Sequence, residues 1–589
     1  MSSIYPGDIG LPPPIVYTIA GSDSGGGAGI QADLSTIRSF GGHGCSAITC
    51  LTAQNSQGVT AVHIPPSSFL RTQLDALVED LPPRAIKIGM IGTRSLAETI
   101  GSFLKEVQSR LEEKNNSQEN FKKQKEKIWI VLDPVMISTS GHKLIDDDAK
   151  EAIIEHIFPL ADIVTPNKYE AEALLGRELL SPEDVEQGAK DILAMGVKSV
   201  LIKGGHSLLE RRDDNTDISP DVNATLGYAQ DYYASSLPSP DPSRLCDGGV
   251  WIRSDRYDTV HTHGTGCTLS SAIASALALG HASREKQERE SKEYFFSLRV
   301  NGANSAIHPI DACCLAKAYV SAGIERGMQL GRGPGPVVHT QFPSTSQHFP
   351  RILSDPSLLS SGIQTFRGMN SFSSASSLAQ LPSLGRILPV VDSVYWVKRL
   401  IQHSEYVTDI QLRIKDTTDL DEVRNVVREC QVLCDSAGIR LWINDYWEVA
   451  LEIPGCFGVH LGQEDLARCQ REDGLRRLHE RHLALGVSTH SYAELAAALA
   501  VNPTYISVGP IFMTSSKNVA FNPQGLAICQ KWRQLVPENI PLVVIGGIND
   551  TREAKLVRDS GADCIAIIGA ITNAVDIGEA TSALCDAMA

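Results

Sequence analysis

The features that this sequence lacks exclude several classes of protein. No apolar run in its 589 residues approaches the roughly 18 residues that a membrane-spanning helix needs, so we expect no membrane contact. Basic residues are outnumbered by acidic ones, 53 to 69, and the formal net charge of −16 argues against general nucleic-acid binding. The first 14 residues have neither the basic and apolar regions of a signal peptide nor the arginines of a transit peptide.

A disulfide framework is also absent. The 13 cysteines are an odd number and are scattered without a regular spacing. With no export signal, this pattern indicates reduced thiols and a cytoplasmic location. The composition, with 42% hydrophobic and 21% charged residues, is that of an ordinary globular protein, and the length allows two to four domains.

Three polar segments interrupt the chain. Residues 110–127 are highly charged, residues 207–247 are rich in Asp, Ser, Pro and Asn without an apolar period, and residues 340–385 are rich in Ser and poor in charge. We interpret the first two as insertions and the third as an interdomain linker. The linker separates an N-terminal part, 15–339, from a C-terminal part, 386–589. We expect the two parts to work when they are separated near Ser360.

The C-terminal part alternates short apolar runs with helix-like stretches. The eight runs are ILPVV, DIQLRI, RLWI, FGVHL, ALGVS, YISVG, PLVVIGG and CIAIIG. Eight alternating units predict a closed parallel (β/α)8 TIM barrel, whose active site lies at the carboxyl ends of the strands. The glycines after the seventh and eighth runs are typical of a phosphate site in such barrels.

The N-terminal part predicts an open α/β architecture. Its runs VYTIAGSD, ITCLTAQNS, AIKIGMIG, IWIVLDPVM, ADIVTPN and SVLIKGGH each end in a polar or glycine-rich turn. A doubly wound α/β layer is the simplest account, and ligands are expected beyond the carboxyl ends of its strands.

Cys267 lies where a glycine-containing turn, His263-Gly-Thr-Gly-Cys267, opens into an Ala-rich helix. Backbone N–H groups at a helix start bind anions, and a thiol there is expected to have a lowered pKa. Cys267 is then a candidate base for a substrate hydroxyl that attacks the γ-phosphate of ATP. The alternative is a small buried residue that packs at a helix start.

Several further motifs in order resemble one kinase family. They are AGSDSGGGAGIQAD (20–33), ITCLTAQNSQGV (48–59), KIGM (87–90), DPVMISTSG (133–141), TPNKYEA (165–171), KGGH (203–206) and THGTGCTLS. From about Val16 to His339, the N-terminal part resembles the hydroxymethylpyrimidine (phosphate) kinases, within the ribokinase-like superfamily. Thiazole kinases share the GTGC motif, but the segment GSDSGGGAGIQAD separates them.

The resemblance implies roles for several residues of the N-terminal part. Cys267 is the catalytic base, and Lys203 lies near the ATP phosphates. The anion hole consists of Gly264, Thr265 and Gly266. Asn167 and Glu170 match a motif that supports Mg²⁺. An ordinary solvated charge is the alternative for Lys203 and for Glu170.

The same resemblance implies an aminopyrimidine substrate. Asp23 and Gln54 bind it, since a Gln amide pairs with an adjacent ring nitrogen and amine, and Met90 packs on its ring. For Met90 the alternative is simple core packing. The sequence departs from the family pattern before THGTGC, where the chain is longer, and in the charged stretch within 281–307, but neither departure removes a named residue.

In the C-terminal part, Asp445 and Asp465 end successive predicted strands. Two carboxylates suit Mg²⁺ that is completed by substrate phosphates and water. Arg413, Lys415 and Lys517 converge on the same mouth, so three cations with Mg²⁺ indicate a pyrophosphate. The alternative is that these are ordinary charged residues of a barrel rim.

The motifs QLRIK, INDYW, GVHLGQEDL, GVSTHS, VGPIFMTSSK and VIGGI in combination resemble the thiamine-phosphate synthases from Leu388 to about Thr572. The resemblance implies loss of pyrophosphate from a pyrimidine diphosphate and capture by a thiazole nitrogen. The residues implied to hold the diphosphate are Gln411, Arg413, Lys415, Asn444, Ser488 and Lys517. Those implied to hold the thiazole phosphate are Thr514, Ser516, Gly547, Ile568 and Gly569. Ser516 and Gly569 depart from the family pattern.

The sequence therefore predicts one chain with two steps of thiamine synthesis. The partners are small molecules, namely the aminopyrimidine, ATP and thiazole phosphate, with ATP as co-substrate and Mg²⁺ as cofactor. No nucleic acid or membrane partner is expected, and a homo-oligomer stays open. Two alternatives are that only one part is active, the other being a scaffold or binding module, and that the N-terminal part is a pyridoxal-type vitamin kinase.

Overall fold

The computed structural model describes residues 12–117, 127–136, 147–204, 227–237, 249–289, 307–354, 366, 368–369, 383–513 and 523–589. Within these ranges no helix combines the length and the apolar character that a bilayer crossing requires. The chain folds into an open sheet with helices on both faces, called here the sheet domain, followed by a closed parallel barrel, called here the barrel.

The sheet domain has ten strands in the order β10-β9-β8-β7-β6-β5-β4-β1-β2-β3. The pairs from β2 through β1, β4, β5 and β6 to β7 are parallel, and β3, β8, β9 and β10 are added antiparallel at the two edges. The strands are β1 Ile15–Asp23, β2 His43–Asn55, β3 Gly58–His63, β4 Ala85–Ile88, β5 Trp129–Leu132, β6 Ile163–Val164, β7 Ser199–Ile202, β8 Tyr228–Ser235, β9 Val250–Asp255 and β10 Arg351–Leu353.

Helices cover both faces of this sheet, because its central strands are apolar on both sides. The helices are α1 Gly29–Ser39, α2 Ser67–Asp80, α3 Arg94–Ser117, α4 Asp147–His156, α5 Lys168–Leu175, α6 Pro182–Ala194, α7 Thr265–Arg289 and α8 Pro309–Glu325. One face packs against α1, α7 and α8, and the other against α2 to α6. This arrangement leaves the carboxyl edge of the parallel strands open for ligands.

The barrel is closed by eight parallel strands in sequence order. They are β11 Ile387–Val391, β12 Asp409–Leu412, β13 Arg440–Asn444, β14 Gly458–Leu461, β15 Ala484–Thr489, β16 Tyr505–Val508, β17 Leu542–Ile545 and β18 Cys564–Ile567. The helices are α9 Val394–Leu400, α10 Leu420–Ala437, α11 Trp447–Glu452, α12 Gln463–Arg471, α13 Gly474–Glu480, α14 Tyr492–Ala500, α15 Leu526–Leu535, α16 Thr551–Asp559, α17 Gly569–Thr572 and α18 Ile577–Ala587.

The predicted fold class is confirmed, since all six predicted strands of the open sheet and all eight of the barrel are present. The interpretation of segment 207–247 as an insertion is wrong in part, because β8 lies inside it. Its buried polar residues, Gln230 and Asp231, hide the apolar period; Lys317 of α8 donates to Asp231 at 2.7 Å. Residues 110–117 of the first charged segment continue α3.

The predicted linker begins with ordered chain. Residues 346–348 form a short 3-10 helix, and β10 then pairs antiparallel with β9 at the edge of the sheet. Phe349 packs against Tyr492 of α14 with ring centroids 6.1 Å apart, so the start of this segment lies between the two domains. Ser360 lies outside the described residues.

Candidate active sites

Two loops pack against each other at the carboxyl edge of the sheet domain. One joins β1 to α1 through residues 24–28, and the other precedes α7. A Cβ atom at Gly264 would lie 1.9 Å from the Gly27 carbonyl oxygen, and one at Gly27 would lie 2.5 Å from His263 Cδ2. Both positions therefore require glycine, and the structure brings together two motifs that lie far apart in the sequence.

The Asp23 carboxylate organises this contact. It accepts hydrogen bonds from the backbone N–H groups of Gly25, Gly27 and Ala28 at 2.7, 3.1 and 2.9 Å, and His263 Nε2 lies 3.1 Å from Asp23 Oδ2. Burial acts to raise the pKa of Asp23, but the hydrogen bond from His263 and those from the loop outweigh it, so the pKa is lowered. Asp23 is therefore an anion that shapes the glycine-rich loop.

Gln54 and Met90 lie beside this loop. The backbone N–H of Gln54 donates to Ser24 Oγ at 2.8 Å, and Ser24 Oγ donates to the Gln54 carbonyl oxygen at 2.7 Å. Met90 Sδ is 3.6 Å from Cys50 Sγ, next to the strand end that carries Asp23. The residues predicted to hold the aminopyrimidine thus surround one strand end.

Cys267 is the third residue of α7, and the N–H of Gly29, the first residue of α1, lies near enough to favour its thiolate. The expected lowering of its pKa is wrong. Burial raises the pKa of Cys267 to about 11, and the nearby Lys87 ammonium and the Gly29 N–H only partly oppose it. The sequence shows the helix start, but it does not show how other elements pack around the thiol, which stays partly exposed.

A buried ion pair behind Cys267 was missed by the sequence analysis. Lys87 and Asp33 are both fully buried, with Nζ 2.8 Å from Asp33 Oδ2. Thr18 and Ser271 donate to the same carboxylate at 2.5 and 2.7 Å. Both charged residues lie within the quoted motifs KIGM and GIQAD, so a lysine inside a buried strand was the available signal.

Lys203 lies beside the predicted anion hole. Its Nζ is 2.8 Å from Asp133 Oδ1 and 3.9 Å from Glu170 Oε2. A Cβ atom at Gly266 would lie 3.3 Å from Lys203 Nζ and 3.5 Å from Asp133 Oδ2. Burial acts to lower the pKa of Lys203, but the carboxylates of Asp133 and Glu170 outweigh it and raise the pKa. Asp133 was not named in advance, although it ends β5 at the same edge.

Asn167 and Glu170 form a reciprocal capping box at the start of α5. Asn167 Oδ1 accepts from the Glu170 N–H at 2.9 Å, and Glu170 Oε2 accepts from the Asn167 N–H at 2.7 Å. Burial raises the pKa of Glu170 to about 7, with a further increase from the charge of Asp133, while Lys203 opposes both. Two crowded carboxylates at the anion hole fit a bound cation.

At the mouth of the barrel, polar side chains of neighbouring strands are joined by hydrogen bonds. Gln411 Nε2 donates to Asn444 Oδ1 at 2.7 Å, and both residues are buried. Ser488 Oγ is 2.8 Å from Nε2 of His460, a buried histidine of β14 that the sequence analysis did not single out. The second ring nitrogen of His460 is 2.8 Å from the hydroxyl of Tyr505. These contacts fix the orientation of the Ser488 hydroxyl.

Asp445 and Asp465 form the carboxylate pair that the sequence predicts, but Asp465 lies in the first turn of α12 and not at the end of a strand. The two carboxylates lie close enough for their charges to interact, and Lys415 Nζ pairs with Asp445 Oδ2. Burial and the charge of Asp445 raise the pKa of Asp465 to about 6, while Arg468 and Lys415 oppose the increase. Adjacent oxygen ligands that repel one another fit a divalent cation. No group of three or more His, Cys, Asp or Glu ligands occurs within the ranges described.

The remaining predicted residues of the barrel fall into two sets. Arg413 follows β12, and its backbone N–H donates to the Val391 carbonyl oxygen at 2.7 Å. Three other predicted residues lie outside the described ranges, namely Thr514, Ser516 and Lys517. Gly547 follows β17 with φ at +69°, and a Cβ atom there would lie 2.4 Å from the Met513 carbonyl oxygen. Ile568 and Gly569 follow β18, so the three described residues of the five predicted to hold the thiazole phosphate follow adjacent strands.

Two protein-family models match this chain, and they match different domains. The model described as phosphomethylpyrimidine kinase matches residues 23–111, 114–234 and 243–299. The model described as thiamine monophosphate synthase matches residues 388–571.

Similar proteins include one of comparable length. A "probable thiamine biosynthetic bifunctional enzyme, chloroplastic" of Oryza sativa subsp. japonica is 30% identical over 93% of this chain and 83% of its own. A hydroxymethylpyrimidine/phosphomethylpyrimidine kinase of Haemophilus influenzae is 35% identical over 56% of this chain and 97% of its own. The solved structure of Staphylococcus aureus pyridoxal kinase in complex with AMP-PCP and pyridoxal is 27% identical, covers 56% of this chain and 94% of its own, and has a TM-score of 0.40. A TM-score this low carries no argument about the substrate.

Proposed function

Because this chain belongs to the family of bifunctional thiamine biosynthetic enzymes, with a kinase in its sheet domain and a thiamine-phosphate synthase in its barrel, we propose an assignment of substrates and residues to each site. The sheet domain phosphorylates 4-amino-5-hydroxymethyl-2-methylpyrimidine and then its phosphate, using ATP. The barrel joins the resulting diphosphate to hydroxyethylthiazole phosphate. The observation that carries this proposal is the pair of separate carboxyl-edge sites, each with cations and a carboxylate pair.

In the kinase reaction, the substrate hydroxyl oxygen forms a bond to the γ-phosphorus of ATP, and the bond from that phosphorus to ADP breaks. Cys267 Sγ accepts the proton of the hydroxyl group. The Lys87 ammonium and the Gly29 N–H favour the thiolate that this role needs, although burial opposes it. Lys203 and the N–H groups of Gly264, Thr265 and Gly266 stabilise the charge on the transferred phosphoryl group.

The aminopyrimidine lies against the loop that Asp23 organises. Gln54 binds the ring nitrogen and amine through its side-chain amide, and Met90 packs on the ring. Mg²⁺ supplies neutralisation of phosphate charge when it is bound, and Glu170 with Asp133 would hold it in the sheet domain. The crowding that raises the pKa of Glu170 supports this assignment.

In the barrel, the bond from the pyrimidine methylene carbon to the diphosphate oxygen breaks, and the thiazole nitrogen forms the new C–N bond with its lone pair. The leaving pyrophosphate takes the electron pair and is stabilised by Arg413, Lys415 and Lys517. Gln411, Asn444 and Ser488 orient it through hydrogen bonds.

Mg²⁺ would be held in the barrel by Asp445 and Asp465, where it supplies further charge neutralisation. The thiazole phosphate is bound by Thr514, Ser516, Gly547, Ile568 and Gly569. We propose residues 15–339 and 386–589 as the two functional units. We also propose a cytoplasmic location, which the twelve described cysteines support because none of them forms a disulfide.

The direct test incubates the purified chain with hydroxymethylpyrimidine, ATP, Mg²⁺ and thiazole phosphate. Thiamine phosphate and pyrophosphate should form, and omission of ATP should abolish both unless pyrimidine diphosphate is supplied. Pyridoxal in place of the pyrimidine tests the vitamin-kinase alternative, and faster phosphorylation of pyridoxal than of hydroxymethylpyrimidine would contradict the substrate assignment.

A further inference from the structure

A buried carboxylate of the sheet domain binds the start of a barrel helix. Asp311 lies in the first turn of α8 and is 2% exposed. One of its oxygens accepts from the His308 N–H at 3.3 Å, which caps its own helix. The other accepts at 2.8 Å from the N–H of Ala493, which lies 182 residues further along the chain in the first turn of α14. The carboxylate therefore joins two helix starts from different domains.

Further groups of the barrel complete this contact. The Ser491 hydroxyl and the Tyr492 N–H lie near the same carboxylate and favour its charged form. Burial raises the pKa of Asp311, and the hydrogen bonds from Ala493 and Ser491 oppose that increase. An anion is favourable at a helix N-terminus, and here two N-termini meet at one carboxylate. Removal of its charge leaves several buried donors with a weaker acceptor.

Helix α14 is buried on all sides, and its composition is almost entirely apolar. All nine of its residues, YAELAAALA, are buried, and Glu494 is its single charged residue. By contrast α16 of the same barrel, TREAKLVRD, buries only Ala554 and Val557. An outer barrel helix is normally polar on its outward face, so a helix that is apolar all round needs a cover. The sheet domain supplies that cover through β10, Phe349 and α8.

The chain just before α14 carries part of the proposed diphosphate site. Ser488 is the penultimate residue of β15, and its carbonyl oxygen accepts from Gln463 Nε2 at 2.6 Å. The N–H of His490 donates to Glu494 Oε2 at 2.7 Å, which ties the end of the strand to the helix. Residues 488–494 are thus held as one unit, and Asp311 contacts that unit from the other domain.

We propose that Asp311 of the sheet domain is a positioning residue for the barrel, which fixes α14 and with it the strand end that presents Ser488 to the diphosphate. The kinase domain is then a structural part of the synthase site. This inference rests on the proposed function only for the role of Ser488. It replaces the expectation of two independent halves with a dependence in one direction, from the barrel on the sheet domain.

The test is Asp311→Asn in the full chain, with the synthase assayed on supplied pyrimidine diphosphate and thiazole phosphate. We expect the KM for the diphosphate to rise about fivefold or more, because a charge-assisted contact is lost. The KM for thiazole phosphate and the kinase kcat should not change. A role in general stability alone would lower the apparent kcat through a smaller folded fraction and leave both synthase KM values unchanged.

The matched control is Asp184→Asn. Asp184 is the third residue of α6 and the acidic member of its capping box, as Asp311 is in α8. The Asp184 carboxylate accepts from the Ser181 N–H at 3.0 Å, and the cap joins residues of the sheet domain alone. This variant should leave both synthase KM values unchanged. An unchanged KM for the diphosphate in folded Asp311→Asn, or an equal rise in Asp184→Asn, would overturn the inference.

A second measurement does not depend on synthase activity, and its first arm uses the unmutated sequence around Asp311. A protease site inserted near Ser360 lets the folded chain be cut between the domains. We expect the fragments to elute together in gel filtration, and to separate more readily in Asp311→Asn. Fragments of the unmutated chain that separate freely would overturn the inference. Wild-type protein that makes no thiamine phosphate would instead contradict the proposed function, and the gel-filtration result could still be interpreted.

Discussion

The two active sites differ in how far their charged side chains are buried. In the sheet domain, Lys87 and Asp33 are fully buried and paired at 2.8 Å before any substrate binds. At the barrel mouth, the side chains of Lys415 and Asp445 are 46% and 21% exposed. In the first site, the protein itself pairs the buried charges. In the second, the cations are exposed and the carboxylates repel each other, so a bound diphosphate and a bound cation would balance their charges.

The difference follows from the two reactions. Transfer of a phosphoryl group from ATP competes with water, so fixed charges in a water-poor site favour the correct acceptor. Pyrophosphate is a large, highly charged leaving group. The exposed cations at the barrel mouth have side chains that can move with it as it departs. We therefore expect changes in the sheet domain to be large and insensitive to solution conditions, and changes in the barrel to depend on salt, pH and Mg²⁺.

The largest expected effect is that of Cys267→Ala. Loss of a general base should lower the rate of the first phosphorylation about 10²–10⁴-fold. The second phosphorylation should fall less, because its nucleophile is a phosphate oxygen that is already ionised near neutral pH, with a second pKa of about 6. Synthesis from supplied pyrimidine diphosphate should be unchanged. Separate rate measurements for the three steps check this, and a near wild-type first step would contradict the assignment of the base.

The next effect concerns stability. Lys87→Met should destabilise the sheet domain by about 3–5 kcal/mol, because Asp33 keeps its buried charge without a partner. Arg71→Met is the control, since Arg71 pairs with Glu106 on the surface at 2.6 Å and such a pair is worth about 0–1 kcal/mol. Denaturant unfolding followed in both variants measures the difference. Similar losses of unfolding free energy in the two variants would show that burial does not make the Lys87–Asp33 pair more important for stability than a surface pair.

A smaller effect is expected from Asp445→Asn or Asp465→Asn. Each should lower synthase activity and its apparent Mg²⁺ affinity about 10–100-fold, without any effect on the kinase. Asn keeps the shape and one acceptor oxygen, so lost packing is not a competing explanation. Mg²⁺ titrations of the synthase reaction are the measurement, and an unchanged Mg²⁺ requirement in both variants would mean that the ion is held elsewhere.

The smallest effect is a pH dependence confined to the barrel. Asp465 has its pKa raised to about 6, so it takes up a proton and loses its ligand charge as the pH falls through that value. The Mg²⁺ concentration needed by the synthase should rise about tenfold for each pH unit below the pKa. Titrations at pH 5, 6 and 7 measure it, with Asp465→Asn as a control that lacks the trend. A requirement that stays constant over this range would remove Asp465 from the metal site.

Most of the fold was predictable because the central strands are continuous apolar runs that end in polar turns. β8 was missed, because its buried Asp231 is compensated by Lys317 from a distant helix, and no local pattern shows such a pair. β10 was missed because it has only three residues and lies in a Ser-rich segment.

The sites were predictable to the extent that strand ends converge. Lys203 and Glu170, and likewise Asp445 and Asp465, lie together as the topology requires. The pKa of Cys267 could not be predicted, since it depends on burial by side chains from other elements. The contact of Asp311 with α14 depends on how two domains pack, and neither domain's motifs contain that information.

The central claim is that one chain carries two chemically separate sites linked by one intermediate. The most direct measurement mixes the Cys267→Ala and Asp445→Asn variants with hydroxymethylpyrimidine, ATP, Mg²⁺ and thiazole phosphate. Each variant alone should form thiamine phosphate far more slowly than the wild type, and the mixture should recover most of the rate, because one variant makes the pyrimidine diphosphate and the other consumes it. A mixture no faster than the better single variant would contradict the account.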